Sequence, residues 1–173
     1  DAGRSFLRSF RMQEFRNFFQ APQKLYASHF YIPMLSADEA PRSFGVENQV
    51  EPSRWIAVYQ GQFRSDVGGT FRFVGTADDI LIAAVDRSVV LSGGFPQYNP
   101  TRWTPPEPPR HPGPRVSDYL PPLTYGSWFT LEPGKPRDLT IVIGEMPGGE
   151  FASYLFIQER GKDYPTVDGR PIL

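Results

Sequence analysis

The chain has 173 residues, no cysteine, 18 basic against 19 acidic residues and a net charge of −1. That balance offers no basic face for phosphates and so argues against a nucleic-acid partner, and the missing cysteines exclude disulfides and thiolate metal sites. No apolar stretch approaches the roughly 18 residues needed to read as a membrane-spanning helix, while 14% aromatic and 39% hydrophobic residues suffice for one core, so a single domain over 1–173 is expected.

Residues 5–19 place Phe6, Phe10, Phe15, Phe18 and Phe19 at helical spacing with Arg8, Arg11 and Arg16 between them, which predicts a short amphipathic helix stopped before Pro22. Such a helix can lie on a membrane surface, but a short N-terminal one is read first as packed on its own domain. Residues 25–35, rich in aromatics and bounded by Pro33, predict a strand. Ser36 followed by Glu39 has the spacing of a capping box, and Pro41 limits the helix it would open. Residues 45–54 read as a loop.

Period-two alternation starts at Trp55. Trp55, Ala57, Tyr59 and Phe63 share one face, Phe71 and Phe73 share another, and the Gly-rich turn around Asp66 joins the runs as an expected hairpin. Residues 80–85 are continuously apolar, as in a strand buried on both faces, and Asp86-Arg87 turns the chain into 88–91. Residues 96–122 hold ten of the 19 prolines and predict a long extended loop inserted in the fold. Shorter strands follow at 126–132, 139–143 and 151–157, with Met146-Pro-Gly-Gly149 as a connection. Many short strands with close turns predict an all-β antiparallel sandwich or barrel.

Catalytic signatures are sparse, and the chain reads as a non-enzyme. The two histidines, His29 and His111, lie in an aromatic strand and in the proline loop, and no H-E-x-x-H or G-x-S-x-G is present. The constellation with chemical content is Asp78-Asp79, two adjacent carboxylates between apolar runs. Like charges this close repel and need compensation. A hard cation such as Ca²⁺ would supply it, with Asp66 as a further ligand; backbone N–H groups, an arginine or water would serve as well. Neighbouring side chains in an extended segment diverge, which argues against a glycosidase pair. Tyr98, Trp103 and Tyr119, in or beside the proline loop, are candidates for an aromatic platform under a sugar ring.

The run from Trp55 to Leu91 resembles the protective-antigen fourteen-kilodalton domain family. Gly61, Phe63, Gly69, Phe71, Phe73, Asp78, Asp79, Asp86 and Val90 occupy the family's places, and the stretch from Phe129 to Ile143 looks like its second half. Asp79 is followed by Ile80, where many members carry Gly. The resemblance implies a β-barrel accessory module of secreted or cell-surface proteins. In the sugar-binding adhesins of the family an Asp-Asp pair joined by a cis peptide holds Ca²⁺ and the ion holds sugar hydroxyls, and Asp78 and Asp79 match that pair. Two functions from different classes follow. One is a carbohydrate-binding module of a larger extracellular, cell-surface or periplasmic protein. The other is a structural or protein-interaction module without a small ligand, its proline loop serving to dock or space a protein partner.

Overall fold

The computed structural model describes residues 11–99, 101–107, 115–167 and 170–171. Eleven strands carry it: β1 (Tyr31–Ser36), β2 (Trp55–Phe63), β3 (Gly69–Asp78), β4 (Ile80–Val85), β5 (Ser88–Gly94), β6 (Thr124–Tyr125), β7 (Phe129–Leu131), β8 (Arg137–Glu145), β9 (Glu150–Glu159), β10 (Thr166–Val167) and β11 (Arg170–Pro171). They form two antiparallel sheets and a small ribbon. The first sheet runs β1-β9-β3-β6, with β7 also on β3; the second runs β2-β8-β4-β5; β10 pairs with β11. The expected all-β sandwich is what the chain forms.

The main core lies between the sheets. Phe73, Ala77, Phe129 and Phe151 of the first sheet meet Trp55, Leu81, Leu91, Ile141 and Ile143 of the second. The rings pack edge-on or tilted, with Trp55 and Phe151 at 5.0 Å and Phe73 and Phe129 at 5.3 Å between centroids, separations at which aromatic quadrupoles attract. Strand β4 is buried at every residue, as its unbroken apolar run predicts. Its inner side chains join this core, while Ile80, Ile82 and Ala84 point to the outer face, where Phe15 and Tyr98 help to cover them. The Asp86-Arg87 turn is also as expected, with φ of 47° and 67°, the doubly left-handed geometry that matches strand twist in a two-residue hairpin.

Several local expectations are corrected. Among the described residues the N-terminal helix is a 3-10 helix at Met12–Asn17; Phe6, Phe10 and Arg8 lie outside them. The Phe15 contact fits the reading of a segment packed on its own domain. The strand expected over 25–35 is confined to Tyr31–Ser36, and Pro33 lies inside it. A proline is tolerated there because β1 is an edge strand with a register shift between Ile32 and Leu35. The Ser36–Glu39 capping box does not form. Ser36 stays in β1 opposite Glu150, so helix α1 (Glu39–Ser43) starts from Asp38, whose side chain makes no cap and instead pairs with Arg42.

The largest correction concerns the hairpin expected over 55–74. Strands β2 and β3 both exist but do not pair: β2 lies on β8 and β3 on β9. The turn at 64–68 carries the chain from one sheet to the other, a connection that period-two patterning cannot distinguish from a hairpin turn. The chain crosses back between β3 and β4 and crosses again between β8 and β9.

The proline-rich segment is not a free arm where it is described; Pro108, Pro109, His111, Pro112 and Pro114 lie outside the described residues. Leu120 and Val116 pack with Ala152, Tyr154 and Phe156 on the outer face of the first sheet. The Thr76 hydroxyl donates to the Pro121 carbonyl at 2.9 Å. Proline suits this role because a covering strap needs no N–H for a ladder.

Candidate functional site

Two of the sheet crossings build the site. Strand β3 ends at Asp78 and β4 begins at Ile80, so Asp79 is the corner residue between sheets. Strand β8 ends at Glu145, and residues 146–149 return the chain to the first sheet. The register of β4 on β8 sets Ile80 opposite Gly144, which brings both corners to the same end of the sandwich. Carboxylate oxygens of Asp78, Asp79 and Glu145 thereby lie within 4.8 Å of one another. The Asp78–Asp79 peptide is cis, the form that the family resemblance implies for such a pair.

Backbone groups fix the corner. The Asp79 N–H donates to the Gly144 carbonyl at 3.1 Å, and the Met146 N–H donates to Asp79 Oδ2 at 3.0 Å. The Asp79 carbonyl accepts from the Phe95 N–H at 3.0 Å and from Asn99 Nδ2 at 2.9 Å. Gly94 is required beside it: its φ is +89°, and a Cβ there would stand 2.1 Å from that carbonyl oxygen.

Glu145 is the side chain that makes the cluster unusual. It is 1% exposed. Its Oε1 accepts from the Gly148 N–H at 2.8 Å, while Oε2 is buried without a hydrogen-bond partner. No basic side chain forms an ion pair with the trio among the described residues. Burial, and then the neighbouring Asp79 and Asp78 carboxyls, push the Glu145 carboxyl up to about 7 against the opposing Gly148 hydrogen bond. Burial, hydrogen bonding and charge from Asp79, and the charge of Glu150 push Asp78 up to about 6. The three carboxyls thus crowd one corner, where the Met146 and Gly148 N–H groups and the protons retained by Asp78 and Glu145 limit their repulsion. All its donors are oxygens, the set that suits a hard divalent cation such as Ca²⁺.

Of the other expected site residues, the structure gathers some and not others. Asp66 precedes β3 at the end opposite Asp78, about 30 Å away along a ten-residue strand, and is exposed beside Arg64 at 3.5 Å. It is not brought to the trio. A cavity of about 440 Å³ lies along the edge strands β5 and β6 under the proline segment. Trp103 and Tyr119 both line it. Trp103 is half-buried and donates from Nε1 to Ser127 Oγ at 2.9 Å, whereas Tyr119 is 83% exposed. Tyr98 is not among the lining residues and packs on the outer face of the second sheet. His29 is exposed and hydrogen-bonded to Ser28 at 3.0 Å.

Two residues escaped the sequence reading. Glu145 is distant in sequence from the Asp pair; its signal is a lone carboxylate that ends the apolar run of β8 before a Pro-Gly-Gly turn. Asn99 links the corner to the cavity. Its Nδ2 binds the Asp79 and Phe95 carbonyls, its Oδ1 is buried without a partner, and the residue lines the cavity wall.

No protein-family model matches the chain, and no curated protein matches it. Among solved structures, the chain is similar to a PA14 sugar-binding domain from an RTX adhesin, with 17% identity, a TM-score of 0.46 and coverage of 79% of this chain and 70% of that one.

Proposed function

We propose that this chain is a non-catalytic carbohydrate-binding module in which Asp78, Asp79 and Glu145 hold Ca²⁺. The observation that carries the proposal is the buried Glu145 Oε2, without a partner, facing two further carboxylates and no counter-charge. A buried carboxylate in that position costs several kcal/mol unless a cation or a proton joins it. The run Trp55–Leu91 resembles the protective-antigen fourteen-kilodalton family, and the match of Asp78 and Asp79 to the pair of its sugar-binding adhesins supplies the ligand class. Ca²⁺ held by carboxylates retains positions for vicinal hydroxyls, and the side chains fix where those hydroxyls meet the protein. Asp78 is the half-buried member and faces the rim, so it accepts hydroxyl hydrogens. The Trp103 and Tyr119 rings, with Asn99, provide a neighbouring wall for the apolar face of a sugar.

A calcium-dependent module of this kind suits an extracellular or cell-surface setting, as part of a larger chain, where calcium is abundant enough for sites of modest affinity. The packing of the described proline segment against the first sheet favours this reading over one in which that segment is a docking arm. Thermal melting against a calcium titration tests it. Stabilisation should grow as RT ln(1 + [Ca²⁺]/Kd) and vanish in Asp78→Asn. A glycan array read with and without chelator then tests the sugar. An unchanged melting temperature at millimolar calcium would sink the metal site, and chelator-insensitive binding would sink the calcium-mediated mode.

A further inference from the structure

Among the described residues the two sheets end in four edges, and three of them are guarded. Strand β1 carries Pro33 and a register shift. Strand β5 has its Val90 carbonyl taken by the Ser127 N–H at 2.8 Å. Strands β6 and β7, on the far side of β3, are two and three residues long. Strand β2 has none of these devices. It runs nine residues, Trp55–Phe63, as the outer strand of the second sheet, without a proline, a bulge or a charged side chain. A sheet edge of that kind is a template for a further strand.

Register shows which backbone groups face outward. The Asp86 N–H donates to the Asp138 carbonyl at 3.0 Å, so even-numbered residues of β8 bond towards β4 and odd-numbered ones towards β2. Strand β2 lies on β8 without a slip, from Trp55 opposite Glu145 to Phe63 opposite Arg137, so its odd-numbered residues carry that ladder. The N–H and C=O groups of Ile56, Val58, Gln60 and Gln62 therefore point away from the sheet, and none of them bonds to the backbone of another described residue. Gln60, Gly61 and Gln62 are exposed, which leaves the second half of the strand open to solvent.

We infer that β2 is a self-association edge: a second copy of this chain pairs with it antiparallel through residues 58–62, about a two-fold axis at Gln60, and the two second sheets become one of eight strands. The strand is complementary to itself in that register. Gln60 stands opposite Gln60, and an amide both donates and accepts. Tyr59 stands opposite Gly61, where a Cβ would meet nothing within 4 Å, so the ring of one copy has room over the glycine of the other. Beyond the strand ends, Arg54 comes opposite Asp66, an exposed carboxylate. A net charge of −1 opposes the approach only weakly. Trp55 marks the end of β2 beside Glu145, so antiparallel pairing sets the two carboxylate corners at opposite ends of the joined sheet, facing away from each other. The inference does not depend on what those corners bind.

The test is the mass of the 173-residue chain by sedimentation, measured from about 1 µM to about 1 mM because a contact built on one strand edge is small and its affinity modest. The mass should rise from 19.6 kDa toward twice that value, and amide exchange at Val58, Gln60 and Gln62 should slow over the same range. Gln60→Lys sets like charges opposite each other and should leave a folded monomer, checked by an unchanged melting temperature at low concentration; Gln60→Glu should do the same. An equal mixture of the two variants should dimerise again, because the two-fold axis places position 60 of one copy against position 60 of the other. A monomer at every concentration overturns the inference and leaves the edge to a strand of another protein. A dimer that survives both substitutions lies on another surface and overturns it as well. Dissociation in each variant without recovery in the mixture overturns the pairing about Gln60.

Discussion

Two side chains show opposite ways to bury a charge in this molecule. Arg72, on β3, is 8% exposed, and its guanidinium has partners close by. Its Cζ lies 4.6 Å from the Tyr125 ring centroid and 4.5 Å from that of Trp128, and the side chain donates to Gln158 at 2.6 Å and pairs with Glu107 at 2.6 Å. Arg160 stacks on the same Trp128 at 4.7 Å. Glu145, at the end of β8, is more deeply buried and has one backbone donor, one oxygen without a partner and two carboxylates for neighbours. A charge with its partners supplied by the chain is structural. A charge left to like-charged neighbours is relieved only by a cation or a proton. Glu107 belongs to the proline segment, so Arg72 also fastens that segment to the first sheet.

The contrast predicts opposite signs. Arg72→Ala removes two ring contacts and leaves Gln158 and Glu107 without their donor. It should destabilise by about 3 kcal/mol and lower the melting temperature by roughly 6–12 °C, read by calorimetry. A loss below 1 kcal/mol would show that the aromatic stack holds its shape without the cation. Glu145→Gln acts the other way in metal-free protein, where removing a destabilised charge should leave stability equal or higher. Its cost appears only with calcium. At about a hundred times Kd the ion should add about 2.7 kcal/mol to wild type, and most of that should be missing in Glu145→Gln and Asp78→Asn. If Glu145→Gln destabilises the metal-free chain as much as Arg72→Ala does, the two sites are alike and the comparison fails.

The sequence made one of these sites half legible and the other not at all. Asp78-Asp79 is visible because adjacent carboxylates between apolar runs are locally unfavourable. Glu145 joins them only through the register of β4 on β8, a long-range fact with no local signature. Arg72 reads simply as the polar member of an alternating strand; that it is covered depends on where Glu107, Tyr125 and Trp128 lie. Strands β2, β3, β8 and β9 are readable from alternation and β4 from its unbroken apolar run, whereas the two-residue strands β6, β10 and β11 carry no such pattern. Which strands pair is not readable. A turn that crosses between sheets and one that closes a hairpin use the same Gly-rich chemistry, which is why β2 and β3 look paired in sequence. Asp66 is expected as a further ligand from its place in the preceding turn, and the extended length of β3 separates it from Asp78.

A smaller effect follows from protonation. The Asp78 and Glu145 carboxyls stand at about 6 and about 7, above ordinary values of 3.8 and 4.5. Folded protein therefore holds these protons more readily than unfolded chain. Their contribution to metal-free stability is fully present below about pH 4 and is lost as pH rises through 6 and 7. Calcium needs the deprotonated site, so its stabilisation should be full above pH 8 and fade below pH 6. Melting curves at pH 5, 6, 7 and 8, with calcium and with chelator, should converge at the acid end and diverge at the alkaline end. Parallel curves would place the calcium elsewhere.

The smallest prediction separates the two components that hold Arg72. Glu107 is 53% exposed at its side chain, so its ion pair with Arg72 is partly screened by water. The contacts of Arg72 with the Tyr125 and Trp128 rings are screened less, because the Arg72 side chain itself is 9% exposed. Glu107→Gln keeps a hydrogen-bond acceptor at the same reach and removes only the charge. It should cost about 0.5 kcal/mol, and that cost should shrink further in 1 M salt. Trp128→Leu, which keeps apolar bulk and removes the ring quadrupole from both Arg72 and Arg160, should cost more and show little salt dependence. If the order is reversed, the ion pair rather than the aromatic stack fastens the proline segment. Arg72 would then resemble a surface salt bridge more than the fully partnered buried charge that sets it apart from Glu145.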